Sequence, residues 1–261
     1  MSDLFGTKNI FVEWCATHAR SPADWIDMTS ALRPPGRAAL VGETRIAAEW
    51  ASMRLAMPWL RVVSPRGGNE PVLVAPGFTS DDGWTESLRR FLDDLGWEVR
   101  GWGLGRNHGR VPELIPALIE QTEAFCAETD CRVRLVGWSL GGYLVREVAR
   151  ERPDLVDRVL TLGAPVIGGP KYTASAPMYC RRGYDLNEIE NNVAVRETVP
   201  IRVPIDSIYS RSDGIVDWRA CIDHHNPDVR HHEVFSSHLG LVASPVVFRL
   251  VAERLAAATG S

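Results

Sequence analysis

Short apolar runs along this chain alternate with longer stretches in which apolar residues recur every three or four positions. Pro71-Val72-Leu73-Val74-Ala75 reads as a short buried strand, and Trp84, Leu88, Phe91, Leu92 and Leu95 form a helical stripe that stops at Gly96. Glu98 to Trp102 predicts the next strand and Pro112 to Ala127 the next helix. A β-branched-rich run, Val133, Leu135 and Val136, then leads into a helix carrying Leu140, Leu144, Val145, Val148 and Ala149. Val156 to Leu162, Ile205 to Tyr209 and His231 to Phe235 read as further strands, and Ser244-Pro245 opens a terminal helix with Val247, Leu250, Val251 and Leu255. Strands alternating with helices predict a mostly parallel sheet covered on both faces. In such a sheet ligands bind beyond the carboxyl ends of the strands.

Two stretches break the rhythm. Residues 1–66 form an N-terminal helical extension: Phe5, Ile10, Phe11, Trp14, Trp25, Ile26 and Met28 predict one or two short helices, with Ser21-Pro22 as a cap, and Pro34-Pro35-Gly36 interrupts them. A longer helix is expected from Ala38 to Met57, ended by Pro58, because Ile46, Trp50, Met53 and Met57 share a face that Ala47, Ala51 and Leu55 widen. That face has four roles open to it: packing on the rest of the chain, a homodimer contact, a cover over a cleft, or an amphipathic segment on a membrane surface. Residues 67–261 are one α/β domain, and within it 166–198 is an insertion rich in Gly168-Gly169-Pro170, Tyr172, Pro177, Met178, Tyr179 and Tyr184.

Composition narrows the class. With 261 residues, 45% hydrophobic and 24% charged, the chain is long enough to bury a core without disulfide staples. A net charge of −4 with scattered basic residues gives no footprint for nucleic acid. Cys15, Cys126, Cys131, Cys180 and Cys221 make no regular framework, so unpaired thiols are expected. No apolar run approaches a membrane span, and Met1 to Lys8 lack the basic-then-apolar order of a signal peptide, so a cytoplasmic location is expected.

The chemistry centres on Gly137-Trp138-Ser139-Leu140-Gly141, a G-x-S-x-G sequence set between the predicted strand and its helix. A strand that turns directly into a helix strains the turn residue, and glycines on either side leave room for the turn. Ser139 is thereby pushed out above the sheet edge, where unpartnered N–H groups of the helix start face the same space. A serine hydroxyl needs a neighbouring base, histidine suits that task near neutrality, and a carboxylate on its far nitrogen fixes the tautomer. Asp213 and His238 each follow a predicted strand, in the chain order Ser, Asp, His. His108 is a rival base that precedes the serine, and Asp206 and Asp217 are rival acids close to Asp213. His224, His225, His231 and His232 lack the i, i+4 spacing of a helical metal site and read as surface histidines.

Ala75-Pro76-Gly77-Phe78, the Gly137–Gly142 elbow, Leu162-Gly163-Ala164-Pro165, Ser212-Asp213-Gly214-Ile215-Val216 and Ser236-Ser237-His238-Leu239-Gly240, in this order, resemble the α/β-hydrolase superfamily and its bacterial lipase and esterase branch. The resemblance spans about residues 70 to 257. It implies an α/β-hydrolase fold with Ser139 as nucleophile, Asp213 as acid and His238 as base. It also implies an oxyanion hole from the backbone N–H groups of Phe78 and Leu140, and a lid over the site at 166–198, where an ordinary surface loop is the alternative. Many relatives carry His where this chain has Pro76 and Trp138. Gly77, Trp138, Met178 and Tyr179 are the expected substrate-binding residues.

The reading is a serine hydrolase that cleaves carboxylic esters, lipid-like small molecules included, through an acyl-serine intermediate, with no cofactor and no metal. The same site would serve an acyltransferase if the cleft admitted another acceptor ahead of water. A third reading is a binding module that keeps the scaffold without turnover, and the intact Ser, Asp and His set weighs against it.

Overall fold

Pro71–Ala75 (β1), Glu98–Gly101 (β2), Val133–Trp138 (β3), Val156–Leu162 (β4), Ile205–Tyr209 (β5) and Val229–Glu233 (β6) form one six-stranded sheet in the order β2-β1-β3-β4-β5-β6. Every strand pair in it is parallel. These strands belong to a computed structural model that describes residues 32–257. The aromatic stretch from Phe5 to Met28, the Ser21-Pro22 cap and Cys15 lie outside the described residues. Residues from Arg33 onward make a single compact unit.

Strict alternation along the strands splits the core in two. Val72 and Val74 face one way, together with Val136, Leu160, Leu162 and Ile208. On that side they meet Met53 and Leu60 of helix α2 (Ile46–Val63), Leu88, Phe91 and Leu92 of α3 (Asp82–Asp94), and Val247, Phe248 and Val251 of α8 (Pro245–Ala256). Leu73 and Ala75 face the other way with Val133, Leu135, Val159 and Ile205. There they pack on Ile115, Leu118 and Phe125 of α4 (Val111–Thr129) and on Leu144, Val145 and Val148 of α5 (Leu140–Glu151). Burial on both faces is why these strands read as continuous apolar runs. Cys126, Cys131, Cys180 and Cys221 are free thiols.

The N-terminal segment departs from expectation in two ways. A short helix α1 (Arg37–Gly42) and a 3₁₀ turn at Glu43–Arg45 precede α2, which runs on through Pro58 to Val63. Pro58 forfeits one backbone hydrogen bond, yet Leu60, 1% exposed, lies beyond it in the core and keeps the last turn docked. The widening of the apolar face is not used: Met53 is buried, while Leu55 is 84% exposed and Trp59 and Val62 also face outward. Part of this segment nevertheless packs on the α/β core through Met53 and Leu60.

Strand β6 also begins and ends two residues earlier than its sequence suggests. Its His and Glu residues carry little apolar signal, and pairing with β5, from Ile205 opposite Val229 to Tyr209 opposite Glu233, sets its limits instead. Between β4 and β5 the chain makes a 3₁₀ turn at Gly169–Tyr172 and two helices, α6 (Ala176–Arg181) and α7 (Leu186–Glu197). Among the described residues no helix is long and apolar enough to cross a membrane.

The rings of Phe91 and Phe248, 5.5 Å apart, couple α3 to α8 in the fully buried layer. Phe248→Ala is expected to cost about 3–5 kcal/mol in urea unfolding. Val246→Ala, at a site 61% exposed on the same helix, should stay within about 0.5 kcal/mol.

Candidate active site

Ser139 stands between β3 and α5 as the helix N-cap, with φ 55° and ψ −123°, a left-handed backbone that costs free energy in any residue bearing a Cβ. Glycine explains how the turn is tolerated. A side chain at Gly137 would run into the carbonyl of Gly141, and one at Gly141 into the carbonyl of Ala75. The turn is pinned further by the Ser139 N–H, which donates to Leu162 O of β4 at 2.8 Å.

Asp213 and His238 meet as the expected pair: His238 Nδ1 lies 2.6 Å from Asp213 Oδ2, with both side chains almost fully buried. The other carboxylate oxygen, Oδ1, accepts from the N–H groups of Ile215 at 2.8 Å and Val216 at 2.7 Å, which fixes the plane of the carboxylate. Trp138 holds the histidine from the serine's side. Its Nε1–H donates to His238 O at 3.1 Å and its ring lies 5.6 Å from the imidazole. Gly163, next to the Leu162 that anchors Ser139, backs directly onto His238 Nδ1 and Asp213 Oδ2. Ser139 Oγ makes no hydrogen bond to His238 among the described residues.

The rivals are engaged elsewhere. His108 is exposed, and its carbonyl accepts from Arg182 Nη1. Asp206 sits 2.7 Å from His232 Nε2, and Asp217 accepts from Arg33 N and Arg219 N. His225 and His231 are exposed, as surface histidines should be, and His231 Nε2 accepts from Asp223 N at 2.9 Å; His232 is half-buried, 2.7 Å from Asp206 Oδ1. Glu197, Asp223 and His225 bring ligand-type atoms together. Arg146, buried on α5, already pairs with both carboxylates, at 3.1 Å to Glu197 and 2.5 Å to Asp223.

A cavity of about 570 Å³ opens beside Ser139. Phe78, Ser139, Leu140 and Tyr179 line it, as do Tyr143, Ile189, Val193 and Val216. Gly77, Trp138 and Met178 are not among its lining residues, although Gly77 lies against the Ser139 side chain. Asp213 and His238 do not line it either. Tyr179 of α6 reaches over the Phe78 loop, with ring centroids 4.7 Å apart. Burial pushes the phenols of Tyr179 and Tyr143 well above their ordinary range, so both stay neutral donors.

Sequence reading passed over several of these residues. Ile189 and Val193 stand at i, i+4 on α7, and Tyr143 stands one turn after Ser139, so helical spacing carried a signal. Asn107 carried none. Its Nδ2–H donates to Pro76 O at 3.0 Å, its carbonyl accepts from Thr79 N at 2.8 Å and its N–H donates to Ser80 O at 2.8 Å. This one fully buried side chain and its backbone therefore set the shape of the Pro76–Ser80 loop.

No family model and no curated protein matches this sequence. Solved structures do. The chain is similar to the mature lipase of Bacillus licheniformis, with a TM-score of 0.57 at 12% identity over 74% of this chain and 94% of that one. The monoacylglycerol lipase of Paleococcus ferrophilus gives 0.53 at 16% identity, covering 74% and 96%. The proline iminopeptidase of Mycobacterium smegmatis gives 0.50 at 17% identity, covering 74% and 91%. At such identities the likeness establishes the architecture: this chain has the α/β-hydrolase fold.

Burial alone would raise the Asp223 carboxyl, but the Arg146 guanidinium holds it down to about 2 against an ordinary 3.8. A lowered folded-state value stabilises above the unfolded value and is lost as pH falls through the folded one. Asp223→Asn should therefore be less stable than wild type by about 2 kcal/mol at neutral pH. The gap should close as acid unfolding is followed from about pH 4 to 2.

Proposed function

We propose that this α/β-hydrolase-fold protein is a serine hydrolase that cleaves carboxylic esters. Ser139 attacks the ester carbonyl while His238 takes its proton, and Asp213 holds the imidazole through Nδ1 and stabilises the imidazolium. The protonated histidine then hands its proton to the departing alcohol. Water activated by the same group hydrolyses the acyl-serine, leaving the acid and the free enzyme.

The observation that carries this reading is a buried His238–Asp213 pair at 2.6 Å on the same parallel sheet whose central strand leads into the strained Ser139 turn, with the Trp138 indole bridging the two by its bond to His238 O. Leu140 opens α5, so its N–H has no intrahelical acceptor. With the Phe78 N–H across the Pro76–Ser80 loop it supplies the two donors an oxyanion requires. The aliphatic and aromatic lining of the cavity suits an acyl chain, and its size falls in the range of sites for small organic ligands. Helices α6 and α7 act as the lid over that chain.

The lid is riveted at its far end. Glu197, closing α7, pairs with Arg146 and Arg150 of α5, and Arg196 pairs with Glu147 and Glu151. The α6 end is held as well, by the Tyr179–Phe78 ring contact and the bond from Arg182 Nη1 to His108 O, so opening there has to break both.

A chain-length series of chromogenic esters tests the reading. Wild type should turn over at least one acyl length well above background, and Ser139→Ala should fall to background. Asp213→Asn should lose about 10⁴-fold in kcat with the fold intact. Absence of turnover at every chain length would instead favour a binding module.

A further inference from the structure

The loop that carries His238 leaves the sheet after β6, so its backbone N–H groups have no strand to pair with. Two carboxylates from the N-terminal segment take them. Glu43 Oε1 accepts from Gly214 N at 2.8 Å and from His238 N at 2.9 Å, and its Oε2 accepts from Leu239 N at 2.9 Å. Glu49 Oε1 accepts from Ser236 Oγ and Ser237 N, both at 2.9 Å, and its Oε2 accepts from Ser237 Oγ at 2.5 Å. Ser237 Oγ in turn accepts from Gly240 N at 2.9 Å. The fit leaves no slack: a side chain at Gly240 would overlap the Glu49 carboxylate.

We propose that Glu43, seconded by Glu49, is a positioning residue for the His238–Asp213 pair, which makes the N-terminal segment a working part of the site. This rests on the reading of Ser139, Asp213 and His238 given above. One oxygen of Glu43 holds the N–H of the histidine and the N–H of the residue after the aspartate, so it fixes the spacing of the two backbones. Charge-assisted bonds to backbone N–H groups are stronger than neutral ones. Catalysis depends on such orientation to within a fraction of an ångström. An amide in place of the carboxylate would turn an NH₂ group toward a backbone N–H and leave one loop donor unpaired.

The test uses the full chain as wild type, Glu43→Gln, Glu49→Gln and the double variant. Met53→Leu, on the same helix as Glu49 but without a polar contact, is the control for looser packing. Three readouts are compared: kcat and KM on a chromogenic ester, the rate of labelling by a fluorophosphonate, and the downfield NMR resonance of the Nδ1–H bridge to Asp213. Glu43→Gln should lower kcat and the labelling rate together by about tenfold at unchanged KM, with the bridge resonance broadened, and the double variant should lose more. Met53→Leu should lose stability only. Wild-type kcat and an unaltered bridge resonance in Glu43→Gln would overturn the proposal, as would an equal loss in Met53→Leu.

If Glu43→Gln does not fold, Glu49→Gln and Ser237→Ala decide the matter, since either with wild-type rates and resonance overturns it. Should wild type neither label nor cleave esters, the hydrolase reading fails instead. The bridge resonance, compared between wild type and Glu43→Gln, still reports on the clamp.

Discussion

The structure turns on one strained residue. Ser139 is held at a positive φ where β3 becomes α5, a conformation that costs about 1–3 kcal/mol and persists only if its surroundings over-determine it. They do so from several sides. Two glycines let the helix and the strand approach closely, β4 takes the serine's N–H, and a side chain at Gly77 would crowd the serine's own. The strain is useful because no relaxed strand or helix position would set a hydroxyl above the sheet edge at the first turn of a helix. Parallel order then does the rest, since every strand end that carries chemistry points to the same edge.

Around that residue the polar groups are arranged in tiers. Asp213 grips the imidazole, Ile215 and Val216 N–H groups grip Asp213, and the indole of Trp138 grips the histidine's carbonyl. Outside these stand Asn107, which shapes the Pro76–Ser80 loop, and Glu43 and Glu49, which hold the His238 loop. Each tier satisfies buried backbone groups that would otherwise be orphaned, so the same bonds that stabilise the loops also orient the side chains. Where relatives of the expected family carry a histidine, Trp138 extends an aromatic row that runs from Trp84 to the imidazole.

What could be read beforehand follows from the range of the interactions involved. Strands β1, β4 and β5 were visible to the residue because burial on both faces leaves an unbroken apolar run between polar ends. Strand β6 was displaced because its limits are set by a partner strand rather than by its own residues. The continuation of α2 beyond Pro58 was hidden because Leu60, buried across the domain, overrides the local cost of the proline. Ser139, Asp213 and His238 stood in recognisable motifs. Glu43 and Glu49 did not, being separated from the loop they hold by 195 and 188 residues. Nor could local spacing show that Arg146, on the helix after the serine, is buried against Glu197 and Asp223.

The central claim is that this edge makes one hydroxyl out of many nucleophilic. Acid-quenching the protein during turnover of a slowly deacylated chromogenic ester, then mapping the acyl adduct by mass spectrometry, addresses it directly. The account predicts a single adduct on the peptide bearing Ser139, lost in His238→Ala. An adduct on another residue, or an undiminished one at Ser139 without the imidazole, would contradict it.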